Sequence, residues 1–387
     1  MPSAPTVFSQ ITSPLFQTEF ARCTEKFPMP RSSRSFSAFD HFLALCFGQL
    51  TYRESLRDVI TCLGARQNLH YHLGFRGRLT RTNFAYANEH RDWRVFAAVA
   101  SVLMRKASHL YADPGEGKLP ELIFALDASI IDLSLKLFPW AFYARSHGSA
   151  VKLHALLSLR GNVPAWAAVT EANFPEMKML DQIPLAAGAF YVLDRAYLDF
   201  TRLIRLERAG AFFVVRNKCH VRFRVTQSRP IAKATGLRCD QTIALTTQCS
   251  RSVYSQPLRR VHFRDVERQR SLIFLTNNFQ LEAGVICDLY RRRWQVELFF
   301  KWIKQHLRIR NFYGRSENAI RCQVWAAICA YLLVAIAKKE HRLEQSLYQM
   351  LQIVSVSALE QVALSELFAR TATPDTNFQQ TFSLAGN

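Results

Sequence analysis

Tyr290 to Arg310 reads YRRRWQVELFFKWIKQHLRIR, and its periodicity sets what the rest of the chain must supply. At 100° per residue, Tyr290, Arg293, Glu297, Lys301, Lys304 and Arg308 fall in one narrow stripe. Leu298, Phe299, Phe300, Trp302, Ile303 and Leu307 lie on the other side and would face a core, with Trp294 packing at its edge. The segment carries seven Lys and Arg against one Glu, a charge of +6 over 21 residues. Pairs at i, i+4 among Arg293, Glu297 and Lys301 stabilise a helix by only about 0.2–0.5 kcal/mol each, and they do not call for a single acid in the stripe. Metal-assisted phosphoryl transfer does. It uses a few carboxylates to hold divalent ions, with cations nearby to hold phosphates.

Two further acids stand where a sheet could aim them. Asp127 lies inside the strand Leu122–Ala128 (LIFALDA), and Asp194 ends the apolar run Ala189–Leu193 (AFYVL). A carboxylate at the end of such a run is costly to bury unless a cation compensates it. Taken singly, each also reads as an ordinary strand-end or cap residue. Asp132 falls on the opposite strand face and Asp199 belongs to the next helix, so both are weaker candidates. Lys152 and His154 share one face of the following strand, as a polar pair at the sheet rim or as groups pointing toward the acids.

The surrounding pattern is that of a mixed α/β sheet. After Leu122–Ala128 come a hairpin of Val151–Leu159 and Ala165–Thr170, a helix over Phe174–Leu185 and a strand over Ala189–Leu193. A helix over Tyr197–Ala209 and a strand over Ala211–Arg216 follow. Residues 218–278, with runs such as VRFRVTQ and SLIFLTNNF, read as a β-rich insertion, and the chain is helical again from Leu281. Residues 1 to about 110 are helical. Within them a basic stretch, Arg66–Arg81, leads into a helix over Asn83–Lys106 capped by Thr82 or Asn83. That arrangement fits a DNA-contacting turn and fits an ordinary helical hairpin equally. The Gly- and Pro-containing stretch ADPGEGKLPE marks a boundary before Leu122.

Across 387 residues, 50 Lys and Arg stand against 30 Asp and Glu, a net charge of +20, which favours a polyanionic partner such as nucleic acid. A hydrophobic content of 49% excludes a disordered chain. Nine scattered cysteines without a Cys-x-x-Cys pair fit a reducing compartment and no zinc or disulfide framework. Cys322–Ala337 is free of charge but shorter than the roughly 18–20 residues of a membrane span, so it reads as a buried helix. The first residues lack the pattern of a signal peptide. A cytosolic protein without a membrane partner is expected.

Tyr290, Arg293, Glu297 and Lys304 match the spacing Tyr-x2-Arg-x3-Glu-x6-Lys, and here the chain resembles the insertion-sequence-four family of DDE transposases. Asp127, and Asp194 followed by Arg-Ala-Tyr, look like that family's first and second catalytic aspartates. The gap of 103 positions from Asp194 to Glu297, against 67 from Asp127 to Asp194, leaves room for the family's β-rich insertion. The resemblance covers about residues 120–340, and less specifically the helical N-terminal region.

The resemblance implies a ribonuclease-H-like mixed sheet core at 120–340, with the insertion at about 218–278. An all-helical, DNA-binding domain at 1–115 would precede it, and C-terminal helices and a tail at 341–387, available for dimerisation, would follow. It implies two Mg²⁺ ions, replaceable by Mn²⁺, ligated by the catalytic carboxylates Asp127, Asp194 and Glu297. Tyr290, Arg293 and Lys304, extended by Lys301 and Arg308, would grip phosphates. The partners would be double-stranded DNA, as terminal inverted repeats and as target, and a second copy in a synaptic homodimer. The location would be the bacterial cytoplasm, at the nucleoid. A catalytically inactive DNA-binding protein or transposase remnant is the competing reading, and a host nuclease with the same core is a third.

Overall fold

The computed structural model describes residues 5–27, 36–112, 120–218, 220–231, 236–265, 269–306 and 312–370. Helices come first: α1 (Val7–Thr12), α2 (Gln17–Thr24), α3 (Ala38–Leu50), α4 (Leu56–Gly64), α5 (Arg81–His90) and α6 (Arg94–Leu110). The central part holds β1 (Ile123–Leu133), β2 (Phe142–Tyr143), β3 (Gly148–Ser158), β4 (Val163–Glu171), β5 (Phe190–Leu193), α7 (Phe200–Arg208) and β6 (Phe212–Arg216). Next are β7 (Phe223–Ser228), β8 (Leu237–Leu245), α8 (Gln248–Val253), β9 (Leu258–Asp265) and β10 (Arg270–Thr276). The chain closes with α9 (Ala283–Arg292), α10 (Trp294–His306), α11 (Glu317–Glu340), α12 (Leu347–Ser357) and α13 (Leu364–Arg370).

The strands form one mixed sheet in the order β2-β3-β1-β5-β6-β10-β9-β8-β7, with β4 on β3. Only the centre is parallel, β1 with β5 and β5 with β6. The strands of the 218–278 segment extend the same sheet, because β10 pairs antiparallel with β6. β5 shows why the centre is apolar throughout. Phe190 and Val192 enter the core on one face, Tyr191 and Leu193 the core on the other, and all four are buried. The first core also contains α3, α6 and α11, and Cys322 to Ala337 are buried in its middle. By length and composition α11 could cross a membrane, but 94% of its most apolar window lies inside the molecule.

Two expectations are corrected here. The helix read over Asn83–Lys106 is two helices, broken at Arg91–Trp93. Thr80 rather than Thr82 or Asn83 caps the first, in a reciprocal box with Asn83. Arg91 takes an extended backbone and sends its guanidinium to the Phe36 and Ser37 carbonyls, while Asp92 accepts from the Arg94 amide at 2.9 Å. The second correction is Phe174–Leu185, where only a short 3₁₀ turn forms over Glu176–Asp181. Its apolar residues Met179 and Leu180 are buried under the sheet, and that packing replaces the helix that periodicity suggested.

A buried ion pair ties the outer strands to α9. Arg259 on β9 donates to both oxygens of Asp240 on β8, at 2.8 and 2.7 Å, and to the Leu281 carbonyl just before α9 at 2.5 Å. Without Arg259, buried Asp240 keeps only its longer contact with Arg229, at 3.3 Å, so most of its charge goes uncompensated. Arg259→Ala is therefore expected to lower the unfolding free energy by about 3–5 kcal/mol in urea titrations; a loss under about 1 kcal/mol would contradict this role.

His41 gives a second prediction. It is wholly buried among Phe36, Phe84 and Phe96, with Nε2 2.7 Å from Asn88 Oδ1. Burial first, then the charge of Arg91, pulls its pKa from 6.5 down to about 3. The unfolded chain takes up this proton below about pH 6.5 and the folded chain does not, so the stability is present above that pH and lost on acidification. Between pH 7 and pH 5 the native protein should lose about 2 kcal/mol more than His41→Phe does. Parallel pH profiles for the two proteins would refute it.

Candidate functional site

Strand register sets the site. Leu126 of β1 pairs with Leu193 of β5, so the next residues, Asp127 and Asp194, stand side by side where the parallel pairing ends. Leu193 also pairs with Val215 of β6, which brings Arg216 next to Asp194, and Arg216 pairs with Phe274 of β10. One face of the sheet thus carries the row Asp127, Asp194, Arg216, Phe274. Asp194 directly follows the carboxyl end of β5, where α/β sheets commonly bind ligands, and Asp127 stands midway along β1, where its parallel pairing with β5 stops. Asp194 also starts a 3₁₀ turn, its carbonyl accepting from the Tyr197 amide at 3.0 Å, which swings the chain clear of the cleft.

The third acid arrives from above this row. The continuous helix read over Tyr290–Arg310 is instead two helices: α9 ends at Arg292, Arg293 is its C-cap, and α10 begins at Trp294. Bonds from Arg293 N to the Tyr290 carbonyl and from Val296 N to the Arg293 carbonyl span three residues rather than four, which tightens this turn. Tyr290, Arg293 and Glu297 still converge. The Tyr290 ring packs on Phe274 with centroids 4.5 Å apart, and its hydroxyl donates to Asp194 Oδ1 at 3.0 Å. Arg293 Nη1 donates to Asp127 Oδ2 at 2.7 Å and Nη2 donates to Glu297 Oε1. The Ala128 amide donates to Asp127 Oδ1 at 2.8 Å. One guanidinium therefore bridges Asp127 and Glu297, while Tyr290 holds Asp194 and presents its ring to that guanidinium at 5.7 Å.

Lys301 and Lys304 continue along α10, roughly 6 and 10 Å beyond Glu297, with Lys301 exposed and Lys304 half-buried. Arg308 lies outside the described residues. Phe299, Phe300 and Ile303 face the core as expected, but Leu298 and Trp294 are exposed, at 40% and 47%. Lys152 and His154 neither point at the acids nor form an exposed pair at the sheet rim. They pair with Ile130 and Ala128, on the opposite face of the sheet from Asp127, and both are buried. Lys152 donates to the Phe174 carbonyl and pairs with Glu176; His154 contacts Thr170.

Charge in the cluster is poorly solvated. Burial, helped by the nearby Glu297 and Asp194, pushes the Asp127 carboxyl up to about 6 although Arg293 pulls it down. Burial pulls the Arg293 guanidinium down, but Asp127, Tyr290, Glu297 and Asp194 outweigh it and raise its pKa. Burial and then Asp194 push the Tyr290 hydroxyl up to about 12. Carboxylate oxygens are the donors hard divalent ions prefer, so the residue types suit Mg²⁺ or Mn²⁺. Their present spacing is wider: among the described residues, no three His, Cys, Asp or Glu side chains stand close enough to hold one ion.

Arg216 and Lys218, beside the acids, escape sequence reading, and Tyr197 enters it only as the last residue of the Asp-Arg-Ala-Tyr run. Arg216 and Lys218 line a cavity of about 580 Å³ with Asp194, Arg195 and His220, and a neighbouring cavity of about 470 Å³ adds Arg145 and Lys152. Tyr197 is wholly buried, its hydroxyl lacks a hydrogen-bond partner among the described residues, and burial, then the charge of Asp127, raises its pKa. Arg216 ends a strand as ordinary-looking as FFVVR. Only the register beside Asp194 reveals it.

A family model for the transposase DDE domain matches residues 118–333, and one for a domain of unknown function matches residues 3–76. A protein named as transposase y4zB in Sinorhizobium fredii is 32% identical over 70% of this chain and 75% of its own length. One named as the transposase for insertion sequence element IS5377 in Geobacillus stearothermophilus is 32% identical over 56% of this chain and 57% of its own. One named for element IS4SA in Synechocystis is 24% identical over 66% and 71%. The matched DDE segment takes in every strand of the sheet and the clustered acids at its centre, and with these relatives it makes the chain a member of the insertion-sequence-four family of DDE transposases.

Proposed function

We propose that this chain cuts DNA at the ends of its own insertion sequence and joins the freed ends to a target, using a ribonuclease-H-like core. The observation that carries this reading is that Asp127 and Asp194 stand side by side on neighbouring strands while Glu297 of α10 is tied to Asp127 through Arg293. Asp127, Asp194 and Glu297 are the residues that would hold divalent ions, Mg²⁺ or its substitute Mn²⁺. When bound there, such ions activate a water or a DNA 3′-hydroxyl and stabilise the leaving oxygen of an in-line displacement.

The remaining work belongs to side chains. The hydroxyl of Tyr290 fixes Asp194 in orientation, and the Ala128 amide does the same for Asp127, leaving Oδ2 turned to the cleft. Arg216, Lys218 and Arg195 along the cavity, with Lys301 and Lys304 along α10, supply the cations that hold phosphates on both sides of the acids, and Arg308, outside the described residues, is assigned the same role from the sequence. The helical segment before β1, with Arg78 and Arg81 lining a cavity of about 680 Å³ between α4 and α5, is the DNA-anchoring region in this reading. A homodimer that pairs two ends, its contacts drawn from the C-terminal helices, completes the proposal.

Asp127→Ala, Asp194→Ala and Glu297→Ala should each cut cleavage of a terminal-repeat duplex at least about a thousandfold, in keeping with the several kcal/mol a metal contributes to such a transition state, while binding of the duplex persists. Near-native cleavage by any one of them removes that residue from the assignment. Arg216→Ala and Lys304→Ala should weaken DNA binding and each reduce the slope of log K against log salt by about 1. Slopes identical to the native protein's would mean that neither touches phosphate.

A further inference from the structure

We propose that Arg293 competes with divalent metal for Asp127 and Glu297, and that a DNA phosphate admits the ion by drawing the guanidinium away. This rests on the reading of the three acids as a metal site and adds a rule for when that site can form.

Asp127 Oδ1 already accepts from the Ala128 amide, so Oδ2 is the oxygen turned toward the cleft, and Oδ2 is the atom that Arg293 occupies at 2.7 Å. The other terminal nitrogen of Arg293 occupies Glu297 Oε1. The two carboxylates are thus held apart by the width of a planar guanidinium, which fits the absence, among the described residues, of any three side chains spaced for a metal. An Mg²⁺ ion with bonds of about 2.1 Å needs its oxygens drawn in more tightly than that. It would also stand a few ångströms from a second cation in a half-buried cleft, where like charges repel strongly. Both cannot sit between Asp127 and Glu297.

Arg293 is also incompletely satisfied where it stands. Its Nε is buried without a hydrogen-bond partner among the described residues, so the present arrangement uses the guanidinium's donors incompletely. Its side chain springs from the tight turn between α9 and α10, and only 14% of it is exposed. A phosphate, by contrast, can accept two parallel bonds from one guanidinium. Arg216 and Lys218 line the cavity beside Asp194, and Lys304 lies farther along α10, which supplies the charge that would bring such a phosphate in. Because binding linkage is reciprocal, DNA should tighten metal binding by the same factor by which metal tightens DNA binding. Arg293 is then a positioning residue as well as a phosphate ligand.

The test is Mn²⁺ binding to the full chain, followed by loss of the free-ion electron paramagnetic resonance signal. Without DNA, Arg293→Gln should bind Mn²⁺ at least about fivefold more tightly than the native protein, within the usual range of coupling between sites. A pre-cut terminal-repeat duplex ending in a dideoxynucleotide should tighten Mn²⁺ binding to the native protein and leave Arg293→Gln unchanged, with Glu297→Gln as the blank for ions held by the DNA. Equal or weaker Mn²⁺ binding by a folded Arg293→Gln overturns the inference. So does a native affinity that the duplex does not alter, which decides the matter if that variant fails to fold. In either case, if Glu297→Gln still weakens Mn²⁺ binding, the metal-site reading survives. If neither native protein nor Arg293→Gln binds Mn²⁺ in a way that Glu297→Gln weakens, the metal-site reading itself fails.

Discussion

Three carboxylates cannot share a half-buried cleft unless positive charge stands among them, and much of the molecule is arranged around that requirement. Two of the acids are set by the sheet: β1 and β5 run parallel in a register that makes Asp127 and Asp194 neighbours. The third is delivered by α10, whose start is fixed by the turn at Arg293 and whose buried side, Val296, Phe299, Phe300 and Ile303, seats it on the core. Arg293 bridges two of the acids and the Tyr290 hydroxyl satisfies the other. Burial of Asp127 favours any state in which its charge is matched more fully than one shared guanidinium allows.

The scaffold explains why such a cluster keeps its shape. β5, apolar on both faces, lies in the middle of the sheet and is covered on each side by a core. α11 lies almost wholly buried inside one of these cores, and α3 and α6 pack on it. Farther out, the Asp240–Arg259 pair reaches the carbonyl that precedes α9, so the outer strands help fix the helix that carries Tyr290. The cations Arg195, Arg216 and Lys218 then line the cavity that opens beside Asp194.

Sequence reading reached the acids because their signals are local or periodic. The spacing of Tyr290, Arg293 and Glu297 puts them on one side whether the helix is continuous or turned at Arg293, and an acid closing an apolar strand is visible in one dimension. What escaped depends on distant partners. The break at Arg91 exists because its guanidinium caps carbonyls of Phe36 and Ser37, more than fifty positions away, and no Gly or Pro announces it. Phe174–Leu185 has helical periodicity, but Met179 and Leu180 are drawn under the sheet in a 3₁₀ turn instead. Lys152 and His154 look like rim residues until β4 and the segment after it cover them. Arg216 acquires meaning only from the strand beside it.

The most direct test of this account is anomalous diffraction from crystals of the full chain with a pre-cut terminal duplex and Mn²⁺. The account predicts manganese peaks within direct ligation distance of Asp127, Asp194 and Glu297, with the Arg293 guanidinium moved onto a DNA phosphate. Manganese bound elsewhere, with Arg293 still bridging Asp127 and Glu297 beside the docked DNA, would contradict it.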